Sequence, residues 1–149
     1  MSRVVTRATI ARPPEEVFAY VTTPSHWPEW HPSSLGVTGA TDHSLVAGEE
    51  VTESFLVAGR RGKANWTVRE RAEPRRWVIF GQVKGGGTGT IAYTLAPQDG
   101  GTLFEREFTY EMNNPLLALL DRLVLRRRIE AESSEALRRL KERLEQSGD

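Results

Sequence analysis

One feature constrains this chain more than any other. From Gly48 to Met112 the sequence is an unbroken run of alternating segments and turn signals, and it is followed by a single long amphipathic stretch. Glu50 to Ala58 alternates, and Gly59-Arg60-Arg61-Gly62 makes a hairpin turn. Lys63 to Glu73, Trp77 to Lys84, Thr88 to Leu95 and Leu103 to Met112 read as four further strands. They are separated by Pro74-Arg75, Gly85-Gly86-Gly87 and Pro97-Gln98-Asp99-Gly100-Gly101. A period of two gives each strand one face to bury, and short turns make neighbours antiparallel. Such a sheet needs a cover. Only the segment that starts at Asn114-Pro115 is long enough, with Asn114 as N-cap and Pro115 at the first helical position.

That segment places Leu116, Leu120, Leu123, Val124, Ile129, Ala136, Leu137, Leu140 and Leu144 at three-to-four spacing. About 30 helical residues span roughly 45 Å. Its middle is small, with Ala131, Ser133, Ser134 and Ala136, while its ends are rich in Leu. This predicts a pocket between helix and sheet. Ahead of the run, Val4 to Ala11 reads as a strand that can join the same sheet. Pro13-Pro14 opens a short helix with Val17, Phe18, Tyr20 and Val21 on its apolar face, and Ser25 caps a second helical turn through Trp30. The stretch from His31 to Gly48 reads as a loop. The expected fold is α+β: a curved antiparallel sheet of six to seven strands wrapped around a long C-terminal helix, with two short helices after the first strand, in one domain over residues 1–149.

The 149 residues carry 20 Lys+Arg and 20 Asp+Glu, which excludes a globally basic nucleic-acid binder. With no cysteine, thiolate metal sites, disulfides and a Cys nucleophile are excluded. No stretch approaches the ~18 apolar residues of a membrane span, and no leader peptide is evident, so the expectation is a cytoplasmic protein without integral membrane association. The balance of charge hides a segregation. Residues 13 to 59 hold seven acids and no Lys or Arg, whereas residues 60 to 76 hold seven bases against Glu70 and Glu73. Adjacent strands are expected to pair these charges across their solvent face; a functional basic patch is the alternative. The run Arg126-Arg127-Arg128 reads as a solvated helix face with i,i+4 partners, or as a contact for anionic lipid headgroups.

Several stretches together resemble the START-like (SRPBCC) superfamily. These are Ala11 to Val21, Trp27-Pro28-Glu29-Trp30-His31-Pro32, Gly48 to Val51, Pro74 to Val78, Asp99 to Thr102 and Leu137 to Lys141. The nearest branch is the polyketide cyclase/dehydrase-like group. The resemblance covers nearly the whole chain and implies the helix-grip fold around an apolar cavity. It implies no single activity, because the superfamily includes lipid carriers, hormone receptors, aromatase/cyclases and ubiquinone-binding proteins. Members with cyclase activity carry a cavity Arg on the strand that holds the counterpart of Trp66. Here that face carries Val68 and Glu70 by alternation, and Arg69 and Arg71 point outward.

Arg106 is the most informative side chain, since alternation sets it among Phe104, Phe108, Tyr110 and Met112 on an apolar face. A guanidinium there must be paired or hydrated. It either clamps a carboxylate, phenolate or enolate oxygen of a ligand, or forms an ion pair with Glu53 or Glu70. Trp27, Trp30, His31, Glu53, Phe55, Trp66, Phe80, Tyr93, Phe108, Tyr110 and Met112 are candidate ligand-binding residues, joined by Leu120 and Val124 from the helix. The loop from Ser33 to Ala47 is a candidate gate. The leading expectation is a binder of one small hydrophobic or aromatic molecule, lipid-like or polyketide-like. The catalytic alternative is a cyclase/dehydratase-type reaction with Arg106 as oxyanion partner and Tyr110 or His31 as proton carrier. A ligand-free interaction module is the third. No metal-ligand spacing, nucleophile elbow or phosphate loop occurs, so no metal and no cofactor are expected. A homodimer is compatible with the sequence.

Overall fold

The computed structural model describes residues 1–57 and 59–146. Seven strands form one antiparallel sheet: β1 (Ser2–Ile10), β2 (Ser34–Gly39), β3 (Glu50–Val57), β4 (Arg60–Ala72), β5 (Arg76–Val83), β6 (Thr88–Gln98) and β7 (Gly101–Glu111). Their order is β1-β7-β6-β5-β4-β3-β2, so β2 to β7 form a continuous meander and the first strand adds to its far edge. Two short helices, α1 (Pro14–Val21) and α2 (Trp27–Trp30), follow β1, with a 3₁₀ turn at Pro24–His26 between them. The C-terminal helical segment of 32 residues comprises α3 (Pro115–Leu120), a π-helical turn (Asp121–Leu125) and α4 (Arg126–Gln146). The architecture is the curved sheet and long helix expected from the strand run, and it is the helix-grip fold that the family resemblance implies. Ala58, read from the sequence as the end of a strand, lies outside the described residues.

Three local devices depart from simple periodicity. The stretch read as loop contains β2, which pairs with β3 through a register shift between Ser34 and Gly36. Only short alternation is present there, too little to signal a strand by itself. In β4 a bulge lies between Val68 and Glu70. One extra residue flips everything beyond it to the opposite face. Glu70 therefore faces solvent and pairs with Arg76 at 3.3 Å, and the expected inward Glu70 is corrected. Arg71 turns inward instead. It donates to Ser44 Oγ at 2.5 Å and to the Leu45 carbonyl at 3.1 Å, and its guanidinium lies over Phe18.

The third device is the π-helical turn, where the Arg126 N–H reaches the Asp121 carbonyl. The wider turn rotates the helix face. Asp121 and Leu125 become buried there, whereas Leu116, Leu123 and Val124, expected on the inner stripe, face solvent. Beyond it α4 buries Ile129, Ser133, Ala136, Leu137, Leu140 and Leu144, while Ala131 and Ser134 point away.

The core occupies the end of the sheet beneath α1 and α2, where Phe18, Trp30, Trp77, Phe104, Ile10 and Leu140 are almost fully buried. Burying each such side chain contributes roughly 1.5–3 kcal/mol. The indoles are satisfied where they meet the backbone: Trp27 Nε1 donates to the Val21 carbonyl at 2.9 Å and Trp77 Nε1 to the Leu45 carbonyl at 3.1 Å. Charge sits largely on the outer surface, as in the Arg3–Glu107 and Arg7–Glu105 pairs across β1 and β7. The expected pairing between the acidic first third and the basic hairpin is corrected. Among the described residues the ion pairs of these segments are internal to each, as in His43–Glu49 and Arg71–Glu73, or reach elsewhere, as in Arg143–Glu29.

Candidate functional site

The other half of the sheet does not close onto the helix. A cavity of about 330 Å³ runs between β3–β7 and the C-terminal helix. Successive pairs of inward residues set its depth. Tyr93 is opposite Trp77 on one side and Arg106 on the other, which makes one level at the closed end. Ile79, Ile91 and Phe108 make the next, and Trp66, Gly81, Gly89 and Tyr110 the one after. Met112 follows the end of β7, near the open end and six residues on from Arg106, or roughly 20 Å at a strand rise of 3.3–3.4 Å.

Glycine keeps this space open. Gly81 lies directly opposite Trp66, and a Cβ built on it would stand 2.5 Å from the indole. Gly62 holds the same relation to Phe55, again at 2.5 Å. Each ring lies flat over a neighbouring strand's bare backbone rather than projecting into the lumen. Opposite, Ser133 supplies the small helix residue that faces Arg106.

The closed end is rich in donors. Arg106 is 5 % exposed and donates from Nη1 to Ser133 Oγ at 3.2 Å, while its Nε has no acceptor. Trp30 Nε1 is a second buried donor without an acceptor, and both residues line the cavity. The Arg106 guanidinium also lies 5.5 Å from the Phe108 ring centroid. Glu53 is committed to Trp66, whose Nε1 donates to it at 3.0 Å. Burial pushes the Glu53 carboxyl above the usual carboxylate range, against the pull of Trp66 and the Arg106 cation.

Two candidate proton carriers are detuned. Burial holds the His31 imidazole well below its ordinary value, and the Arg106 and Arg139 cations push it the same way. Its Nδ1 accepts from the Ser33 N–H at 3.1 Å, which assigns the neutral ring as a donor through Nε2. The Tyr110 hydroxyl donates to buried Asp121 at 2.6 Å, and burial together with that carboxylate raises its pKa. Burial also pushes the Tyr93 phenol up to about 12. The other histidines lie outside the cavity: His26 stacks on Tyr20, and His43 pairs with Asp42 and Glu49.

The cavity brings together Trp27, Trp30, His31, Glu53, Phe55, Trp66, Tyr93, Arg106, Phe108, Tyr110 and Met112. Phe80 is on the opposite face of β5, beneath the Arg69 guanidinium at 4.0 Å, because Ile79 and Gly81 take the inward positions. Leu120 and Val124 are also outside it; the π turn gives their places to Leu117, Leu125 and Ile129. Glu132 and the strand glycines were missed by sequence reasoning, and Ser33 was named only as the start of a gate loop. For the glycines cross-strand register is the signal, and it needs the pairing. The open end is formed by the β3–β4 and β5–β6 turns, with Arg60, Arg61 and Lys84 exposed there beside Glu111.

No helix among the described residues is long and apolar enough to cross a membrane, and no three His, Asp or Glu side chains stand together as a metal site. Solved structures share the architecture. TTHA0849 from Thermus thermophilus is 18 % identical, with a TM-score of 0.78 over 99 % of this chain and 100 % of that one. A conserved protein from Geobacillus kaustophilus is 14 % identical, with a TM-score of 0.78 over 98 % and 97 %. Ms6760 from Mycobacterium smegmatis is 22 % identical, with a TM-score of 0.70 over 97 % and 92 %. No curated protein matches the sequence significantly. The family described as polyketide cyclase/dehydrase and lipid transport matches residues 1–145, in accord with the resemblance read from the motifs, and the chain belongs to that family.

Proposed function

We propose that this protein binds one small, largely apolar or aromatic molecule in the cavity, with an anionic or strongly accepting oxygen directed at Arg106. The observation that carries the reading is the surplus of buried donors at the closed end, Arg106 Nε and Trp30 Nε1, in a wall whose apolar part includes Trp66, Ile79, Ile91 and Phe108. Buried donors without acceptors are costly, and a ligand oxygen relieves that cost. A volume near 300 Å³ belongs to the lower range of small-molecule sites.

Fluorescence titration tests the reading with two probes of like size, anionic anilinonaphthalene sulfonate and neutral N-phenylnaphthylamine. Both are expected to bind the wild type. Arg106→Met is expected to weaken the sulfonate by roughly ten- to a hundredfold, the worth of a charge-assisted hydrogen bond, and to leave the neutral probe unchanged. Equal affinities of the variant for both probes, matching the wild type, overturn it. Native mass spectrometry of protein purified from its own host then identifies the physiological molecule. The catalytic alternative draws its support from Glu53, whose raised carboxyl lies in the same wall as Arg106. In that reading Glu53 moves the proton and Arg106 holds the enolate oxygen.

A further inference from the structure

The start of the C-terminal helical segment carries an apolar face with nothing packed on it. Leu116, Leu119 and Leu123 are 72 %, 51 % and 66 % exposed, and Val124 is 49 % exposed. Helical spacing puts Leu116, Leu119 and Leu123 side by side. Isolated exposed leucines are ordinary, but a contiguous set on one helix marks a contact surface. On the same segment Leu117 lines the cavity, so this face borders the open end.

The charge around that face is mostly positive. Arg122 lies between Leu119 and Leu123, Arg127 and Arg128 follow Leu125, and among the described residues none of the three is in an ion pair. Arg126 is the paired member of the run, held by Glu130 at 3.3 Å. Across the opening stand Arg60, Arg61 and Lys84, with Glu111 as the one acid among the described residues in that part of the rim. Among the described residues Arg60 and Arg61 are in no ion pair, and across the β3–β4 hairpin they are opposite Val57 and Leu56.

We propose that this face docks the protein on an anionic lipid bilayer, with Leu116, Leu119 and Leu123 entering the headgroup–acyl boundary and the arginines meeting lipid phosphates. An apolar strip beside unpaired bases is the pattern of a helix that lies in the interface plane. A second copy of this chain fits the patch poorly. A two-fold contact buries the same patch on both copies, and this patch brings Arg122, Arg127 and Arg128 with no complementary acid to face them. Docking in this orientation turns the open end of the cavity toward the lipid, so an apolar molecule crosses without passing through water. The docking itself does not depend on what the cavity holds.

Co-sedimentation of the full chain with vesicles tests the proposal. Binding is expected to mixed phosphatidylcholine/phosphatidylglycerol vesicles, to be weak with pure phosphatidylcholine, and to fall with added salt. Leu119→Glu/Leu123→Glu is expected to abolish it while circular dichroism and probe binding in the cavity stay as in the wild type. Arg127→Gln and Arg128→Gln are each expected to weaken it about fivefold, the equivalent of ~1 kcal/mol per arginine. Absence of binding to the anionic vesicles overturns the proposal, as does binding that the leucine variant leaves intact. Light scattering that shows a dimer broken by Leu119→Glu/Leu123→Glu overturns it as well, and assigns the face to a second copy.

Discussion

Arg106 on the last strand donates to Ser133 on α4 across the cavity, over 3.2 Å, while its Nε faces no acceptor. The pair joins the sheet to the helix at the level where the cavity closes. Ser133 is 1 % exposed and small, which is why a guanidinium fits between sheet and helix there. A neutral hydroxyl does not compensate a buried cation fully. Glu53, the nearest inward acid identified from the sequence, accepts from Trp66 instead.

This arrangement separates binding from stability. Arg106→Met comes near the volume of the side chain and removes a buried charge that no carboxylate pairs, together with its desolvation cost. The variant is expected to melt no lower than the wild type in differential scanning calorimetry while it loses the anionic probe. A marked fall in melting temperature would make Arg106 a structural residue.

Gly81 is the most sensitive position in the cavity floor. A methyl group placed there meets the Trp66 ring at 2.5 Å, and strand pairing leaves the backbone no room to retreat. Gly81→Ala is expected to cost ~1–3 kcal/mol, the usual range for overpacking. It is also expected to push the indole off Glu53, which tryptophan emission and urea unfolding together detect.

Tyr110 ties the end of β7 to the π turn. Its hydroxyl and that of Ser2 both donate to Asp121, at 2.6 and 2.5 Å. Tyr110→Phe leaves the buried carboxylate one donor short and is expected to cost ~1–3 kcal/mol in urea unfolding. The same change made with Asp121→Asn is expected to cost less than the sum of the two singles, because both act on one bond.

Two cavity groups give the stability opposite dependences on pH. Glu53 has its folded pKa raised above 4.5, so the folded state holds its proton longer than the unfolded chain. Stability from this group is full below 4.5 and is lost as pH rises through the folded value. Glu53→Gln is therefore expected to melt higher than the wild type at neutral pH, with the difference closing as the pH falls to 4.5.

His31 has its folded pKa lowered below 6.5, so the unfolded chain takes up a proton that the folded state refuses. Its effect is absent above 6.5 and destabilises progressively as the pH falls from there toward the folded value. Nitrogen-detected NMR at pH 6 is expected to show a neutral ring protonated on Nε2, with Nδ1 as acceptor. A protonated imidazolium at that pH contradicts the assignment.

Much of this protein was legible before any pairing was known. Alternation placed Arg106, Phe108, Tyr110 and Met112 on one face, and turn residues separated the strands of the meander. Asn114 and Pro115 marked the helix start, where the Asn114 side chain accepts from the Leu116 N–H. These are local properties, set by the period of the backbone and by the dihedral preferences of Gly, Pro and Asn. What only the tertiary structure decided lies beyond each break in period. The bulge after Val68 turned Glu70 out and Arg71 in. The π turn exchanged Leu123 and Val124 for Leu125 on the inner face. One inserted residue reverses every side chain downstream, and nothing in the residues at the break announces it, because the insertion is selected by partners on neighbouring strands and helices. The charges followed the same rule. Composition summed them to zero, and the fold paired many of the acids and bases on the outer surface, as in Arg3–Glu107 and Arg138–Glu135, while it left Arg106 inside and Arg60, Arg61 and Lys84 at the mouth.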